Sequence, residues 1–431
     1  MKKFYTILVN NMVAGITNMF VWFALTFYIY LETRSVLATS IIAGSWSVLS
    51  AVMGLYFGTY VDHHKKKRAM ALSSILSAVF YIIGLAVLIF TPERELLTLS
   101  SIEFWLFVGF VLAGSVAGNL RNIAMSTCVT LLVPVDKHDR ANGLIGSTSG
   151  VVFSLTSLFG GLGIGFLGMR WSLIVTIIAT ALVLVHILTI DFKEEKTVHL
   201  SKEERPKRID IKGALGAIHA VPGLLGLIFF ATFNNFLGGV FMSLMDAYGL
   251  SLISVEAWGI LWAFLSLGII VGGLIIAKRG LGKNPVRTLF ATNIALWVIC
   301  IFFTIHRSIV LTAIGMLFYM MLMPAVEASE QTIIQKVVPL KKQGRVFGFA
   351  QTMEQAASPV TAFLIGPLAQ LFFIPTMIDG FGARTIGSWF GTGSDRGIAL
   401  VFTLAGIIGL IVTVLAMYSR SYRSLVKSYS S

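Results

Sequence analysis

Long apolar blocks, each broken by a few polar or charged residues, recur along the whole of this sequence. A helix needs about 20 mostly apolar residues to cross the hydrocarbon core of a membrane. By that ruler the pattern predicts twelve helices. Six fall near 7–31, 36–61, 69–90, 104–132, 142–168 and 171–190, and six near 223–245, 257–277, 286–305, 308–335, 346–374 and 397–418. One long charged segment, 191–213, separates the two groups. It carries Asp191, Lys193, Glu194, Glu195 and Lys196, then Glu203, Glu204, Arg205, Lys207 and Arg208. The expected organisation is an N-terminal bundle over 1–190, a linker over 191–222, and a C-terminal bundle with a short tail over 223–431. In the linker, Ile209, Ile211, Leu215 and Ile218 predict a short helix lying on the membrane surface. The expected fold class is all-α integral membrane, with twelve transmembrane helices in two pseudo-symmetric six-helix bundles.

Composition sharpens this picture. Only 12% of the 431 residues are charged, against about 25% in soluble chains, and the mean hydropathy is +0.85. A net charge of +13 would suggest nucleic acid in a soluble domain. Here the charges sit in short loops, and no Arg-rich face with interleaved aromatics exists, so nucleic acid is set aside as a partner. Of the 33 Lys and Arg, 26 fall in the N-terminus, alternate loops and tail. Six, Arg34, Arg94, Arg170, Arg307, Arg384 and Arg396, fall in the opposite loops, and Arg121 lies inside a span. Basic loops stay on the cytoplasmic side, so both termini are expected there, with an even helix count. The first apolar run is too long for a cleaved signal and reads as the first span. Cys128 and Cys300 both lie in apolar runs and suggest neither a disulfide framework nor a metal site.

The loops carry the strongest local patterns. Between spans 2 and 3 the chain reads Gly58-Thr59-Tyr60-Val61-Asp62-His63-His64-Lys65-Lys66-Lys67-Arg68. The glycine lets two helix ends approach, a carboxylate follows four residues later, and four cations close the turn. The halves also echo each other. Val133-Pro134 with Arg140 and Gly143 after span 4 matches Val338-Pro339 with Arg345 and Gly348 after span 10, displaced by 205 residues. In loop 8–9, Gly273 to Ala277-Lys278-Arg279 mirrors Gly58 to Asp62-His63, with alanine in place of the carboxylate. Asn18 in span 1 is echoed by Asn234 and Asn235 in span 7. Parallel six-helix repeats are how one transporter architecture builds two bundles around a central site.

On these residues the chain resembles the drug–proton antiporter branch of the major facilitator superfamily, the branch that includes macrolide-efflux-type proteins. The resemblance runs nearly end to end. It is most specific at Gly58–Arg68, Leu131-Leu132-Val133-Pro134, and Gln335 through Gly344-Arg345-Val346-Phe347. Two departures stand out: Gly114-Ser115 occupies the stretch of span 4 where exporters often carry arginine, and Thr156-Ser157 stands where span 5 would read Gly-Pro. The resemblance implies that the loop at Gly58 helps latch the two halves, giving a gate set of Gly58, Asp62, Arg68, Arg140 and Arg345. It also implies that spans 4 and 10 line the cavity, so that Arg121 and Glu327 face each other.

A charge at mid-bilayer costs at least about 2.5–3.5 kcal/mol, which makes intramembrane charges informative. Arg121 lies thirteen residues before Pro134, about 20 Å along a helix, too deep for its side chain to reach the surface. Glu327 and Glu330 share one face of span 10, and Glu354 of span 11 is expected at the depth of Glu330. A carboxyl group removed from water holds its proton more readily, and a neighbouring carboxylate reinforces this. Glu327, Glu330 and Glu354 are therefore the expected proton-coupling groups. Arg121, Asn18, Asn234 and Asn235 are the expected cavity wall, with Arg121 paired to Glu327 in the empty state. His186 is expected to be a packing residue.

The expected function is alternating-access secondary transport, a proton-coupled efflux of small hydrophobic or amphipathic, drug-like molecules. No Gly-x4-Gly-Lys-Ser/Thr loop is present, so an ion gradient is the energy source and no cofactor, metal or catalytic residue is expected. The remaining partners are protons, the lipid bilayer and the small-molecule substrate. A monomer in a bacterial cell membrane is expected. The alternatives are an uptake symporter for a small nutrient and a non-transporting sensor or scaffold; an enzyme is not expected.

Overall fold

The computed structural model describes residues 2–33, 36–191 and 210–428. The charged linker residues 192–209 and Arg34 lie outside the described residues. The principal helices are α1 (Lys2–Thr33), α2 (Val36–His63), α3 (Lys66–Phe90), α4 (Ile102–Leu132), α5 (His138–Thr189), α6 (Ile211–His219), α7 (Leu224–Leu250), α8 (Val255–Arg279), α9 (Pro285–Phe302), α10 (Ile309–Val337), α11 (Leu340–Leu368), α12 (Ser394–Met417) and α13 (Arg420–Ser428). Among the described residues eleven helices are long and apolar enough to cross a membrane. The protein is all-α and multi-pass, as the apolar blocks predict. The predicted fifth and sixth spans form the single run α5, which bends where Gly168 adopts φ 68° and ψ 174°, a conformation open to glycine but strained for other residues. The predicted linker helix is α6.

Local chemistry fixes several helix starts. Asn284 accepts from the backbone of Val286 and Arg287, with Pro285 in the first turn of α9. Ser101 caps α4 through Phe104 N, and Ser254 caps α8 through Ala257 N. Each occupies a donor that has no partner within its helix. Interruptions also have identifiable causes: Pro324 lies inside α10, Pro359 and Pro367 lie inside α11, and a π-turn at Ala369–Phe373 follows.

Two compact units emerge, and each draws one segment from the other half of the sequence. The first comprises Met1–His138, Thr148–Ala217 and Ile334–Thr352; the second comprises Asp139–Ser147, Ile218–Ile333 and Met353–Ser431. In the first, α3 and α4 pack through small residues. Tyr81 lies over Gly114, while Ser73 and Ser77 donate to the carbonyls of Ala117 and Gly114 at 2.8 and 2.7 Å. Small side chains permit that approach, and lipid gives helices little hydrophobic reason to associate otherwise. The second unit has an aromatic core in which Phe241 stacks on Phe402 at 5.0 Å and Tyr248 meets the same ring edge-on at 5.9 Å.

Candidate functional site

In the first unit, the start of α11 lies against the end of α2. A methyl group placed on Gly58 would meet the Gly344 carbonyl and lie 3.0 Å from Gly348 Cα and 3.1 Å from Arg345 Cα, so only glycine permits this approach. One turn on, the buried Asp62 carboxylate accepts from Gly344 N at 2.6 Å, Arg345 N at 3.0 Å and Arg345 Nε at 2.8 Å. Two of these donors are backbone amides near the N-terminal end of α11, where the helix dipole also favours negative charge. Arg345 also reaches Asp210 at 2.5 Å. Asp210 in turn caps α6 by accepting from Gly213 N at 2.7 Å. Gly58, Asp62 and Arg345 thus converge, and Asp210 joins them. Its position before an apolar stretch marks a helix cap in sequence, but nothing there reveals the pairing with Arg345. Arg68 is exposed and enters no ion pair among the described residues. The buried cation of that loop is Lys66, which donates to Val61 O at 2.6 Å.

The second unit contains a related crossing of α5 and α8. A methyl group on Gly143 would lie 2.7 Å from Ala277 N, and one on Gly273 would meet Ser147 N and lie 2.7 Å from Gly143 O. Asp139 accepts from Leu281 N at 2.9 Å. Gly348 approaches Gly58 as Gly143 approaches Ala277, so the expected register is corrected by one turn. Gly54, Gly58 and Asp62 correspond to Gly273, Ala277 and Leu281. Arg140 is exposed and enters no ion pair among the described residues.

Three carboxyl groups of α10 and α11 cluster in the second unit. Glu330 and Glu354 are hydrogen-bonded to each other, with Glu327 near enough to act on both electrostatically. Two carboxyl groups share a hydrogen bond only when one of them carries a proton. Phe229, Phe233 and Phe236 of α7, with Met353, Ala357 and Val360 of α11 that flank Glu354 in sequence, line an apolar cleft of about 460 Å³, within the range of small-molecule sites. Asn234 and Asn235 are not part of that lining. Their amides donate to the Phe230 and Ala231 carbonyls, and Asn234 also accepts from Trp297 Nε1 at 3.2 Å.

Arg121 departs from its expected pairing. It is buried among neutral groups of the first unit, donating to Asn10 Oδ1 at 2.6 Å, Ser74 Oγ at 2.8 Å and Met70 O at 3.2 Å. No ion pair of the described residues includes it. These acceptors replace the expected Glu327 because oxygen atoms of α1 and α3 already surround the guanidinium. His186, expected to be a packing residue, is satisfied by Asn10, whose Nδ2 lies 3.0 Å from its Nδ1. Arg121 and Asn18 line one cavity of about 50 Å³, a volume for a few water-sized groups. Asn18 spans two helices there, donating to Ser115 O at 3.0 Å and accepting from Tyr81 at 2.7 Å. A second correction concerns Arg396, assigned by sequence to a loop. It is 2% exposed in the first turn of α12, donates to Ile305 O at 2.8 Å and lies 4.1 Å over the Phe390 ring. Gly391 and Gly393, both with positive φ, precede it and turn the chain back into the core.

Multiple membrane spans, buried charges and a drug-sized apolar cleft define a membrane transporter. The profile of the Major Facilitator Superfamily matches residues 7–362, and the chain belongs to that family. No curated protein shows significant sequence similarity to it. Its fold is similar to that of the human organic anion transporter MFSD10 (TETRAN), with a TM-score of 0.69, 13% identity, and coverage of 95% of this chain and 99% of that one. A bacterial homologue of the iron transporter ferroportin, in an outward-facing state, gives 0.65 at 12% identity, covering 97% and 100%. The proton:xylose symporter XylE bound to 6-bromo-6-deoxy-D-glucose gives 0.67 at 12% identity, covering 97% and 95%.

Proposed function

We propose that this transporter is a proton-coupled exporter of small hydrophobic or amphipathic, drug-like molecules. It works as a monomer in a bacterial cell membrane, by alternating access, with both termini cytoplasmic. The observation that carries the reading is the Glu330–Glu354 hydrogen bond inside membrane-spanning helices. That pair holds a proton which a change of surroundings can release, and Glu327 adds a third site. The neighbouring apolar cleft supports a greasy substrate. One proton crossing with the membrane potential yields about 2.3 kcal/mol per 100 mV, enough to drive useful concentration ratios. Gly58, Asp62 and Arg345 act at the cytoplasmic gate.

The test is substrate-driven proton flux in proteoliposomes. Glu330→Gln and Glu354→Gln are each expected to reduce that flux more than tenfold while substrate binding persists. Undiminished flux in the double variant would remove the coupling assignment. Vesicles of known orientation decide direction, since net accumulation on the cytoplasmic side would make the protein an uptake symporter.

A further inference from the structure

Arg121 is 3% exposed and has no carboxylate partner among the described residues. A guanidinium carries five N–H donors. Three donations, to Asn10, Ser74 and Met70, leave two. The side chain also borders the 50 Å³ cavity, whose wall includes Ser73, Ser77, Tyr81, Asn122 and Thr180 but no acidic residue. Burying a charge without a counter-charge is expensive, and neutral acceptors offset only part of that cost. Ser73 and Ser77 donate to carbonyls of α4, whereas the Thr180 hydroxyl on the wall can turn its hydrogen into the cavity.

We propose that this cavity is a binding site for a small monovalent anion, with chloride as the abundant example, held as the counter-ion of Arg121. The volume admits a halide and excludes a drug-sized ligand. The guanidinium supplies the charge and its two remaining N–H donors, and the Thr180 hydroxyl completes the shell. An anion that binds the folded state alone stabilises it by RT ln(1 + c/Kd) at free concentration c, so the first unit becomes halide-dependent.

The experiment uses the full chain purified in detergent in sodium gluconate, titrated with chloride, bromide or sulfate at constant ionic strength. The expected result is a rise in Tm with chloride and bromide that becomes logarithmic in halide concentration above the Kd, and none with sulfate. Thr180→Val keeps the side-chain volume and removes one hydroxyl, and is expected to raise severalfold the halide concentration needed for a given rise in Tm. Arg121→Gln is expected to abolish the dependence; if that variant fails to fold, Thr180→Val carries the test. Bromide-soaked crystals are expected to show an anomalous peak beside Arg121. A wild-type Tm that is the same in all salts, or bromide found only on the outer surface, means that water alone fills the cavity and overturns the proposal.

Discussion

The crossing of α2 with α11 and the crossing of α5 with α8 are the same motif built twice, with the carboxylate moved from one partner helix to the other. In the first, Asp62 on α2 accepts from Gly344 N at the start of α11. In the second, the residue in the place of Gly344 is Asp139, and it accepts from Leu281 N, which stands in the place of Asp62. The backbone-to-carboxylate link survives in both, but the arginine does not. Arg345 lies between two carboxylates, whereas Arg140 is exposed. A carboxylate on the crossing helix can reach past the amide to the arginine side chain. One on the arginine's own helix is spent on the neighbouring backbone. One crossing is therefore an ionic latch and the other a neutral seam. The former is the better candidate for a gate, because its strength depends on charge.

Removing the charge of the latch has the largest expected effect. Asp62 is fully buried as a side chain and Arg345 nearly so, and breaking a buried pair at one partner costs about 3 kcal/mol. Asp62→Asn keeps the shape but turns amide donors toward the guanidinium. Transport in proteoliposomes is expected to fall more than tenfold while membrane insertion, read by yield and monodispersity, is retained. Normal transport by this variant would remove the gate role.

Close approach comes next. Gly58→Ala puts a methyl group against the Gly344 carbonyl and the Cα atoms of Arg345 and Gly348, contacts made by backbone that has no rotamer to escape into. Overpacking of this kind costs about 2 kcal/mol. The equivalent position in the other crossing is already Ala277. The comparison therefore predicts that Gly58→Ala lowers Tm by several degrees, while Ala277→Gly costs no more than about 1 kcal/mol of helix propensity and shifts Tm less. Equal shifts would show that the two crossings are equally close.

Much of this was legible before the structure. Spans are local in sequence and long, so the apolar blocks locate the helices, and Glu330 and Glu354 share a depth because helical rise is constant. The repeat pointed to both crossings but placed them one turn out of register. Four residues advance a helix by slightly more than a full turn, so Gly54 and Gly58 lie on one face, as do Gly273 and Ala277, and only interatomic contacts choose between the two registers. Arg121, Asp210 and Arg396 were hidden for a different reason. Their partners, Asn10, Arg345 and Ile305, lie 111, 135 and 91 residues away, and two of the three are held by uncharged groups that leave no charge pattern to read.

The smallest expected effects fall on the neutral seam and test its neutrality. Asp139→Asn keeps an oxygen able to accept from Leu281 N but loses charge assistance and the second oxygen, which accepts from the exposed Arg140 N, a change of about 1 kcal/mol. Arg140→Ala removes an exposed side chain with no ion pair among the described residues, and exposed substitutions of this kind stay within about 0.5 kcal/mol. Both variants are therefore expected to transport at near wild-type rates, and Arg140→Ala to leave Tm unchanged, where Arg345→Ala is expected to behave like Asp62→Asn. The double variant Asp139→Asn/Arg140→Ala is the sharper measurement. If the seam holds no ion pair in any state of the cycle, the two effects add. A coupling between them larger than about 1 kcal/mol would mean that Asp139 turns to Arg140 in another state, making the second crossing a latch of its own.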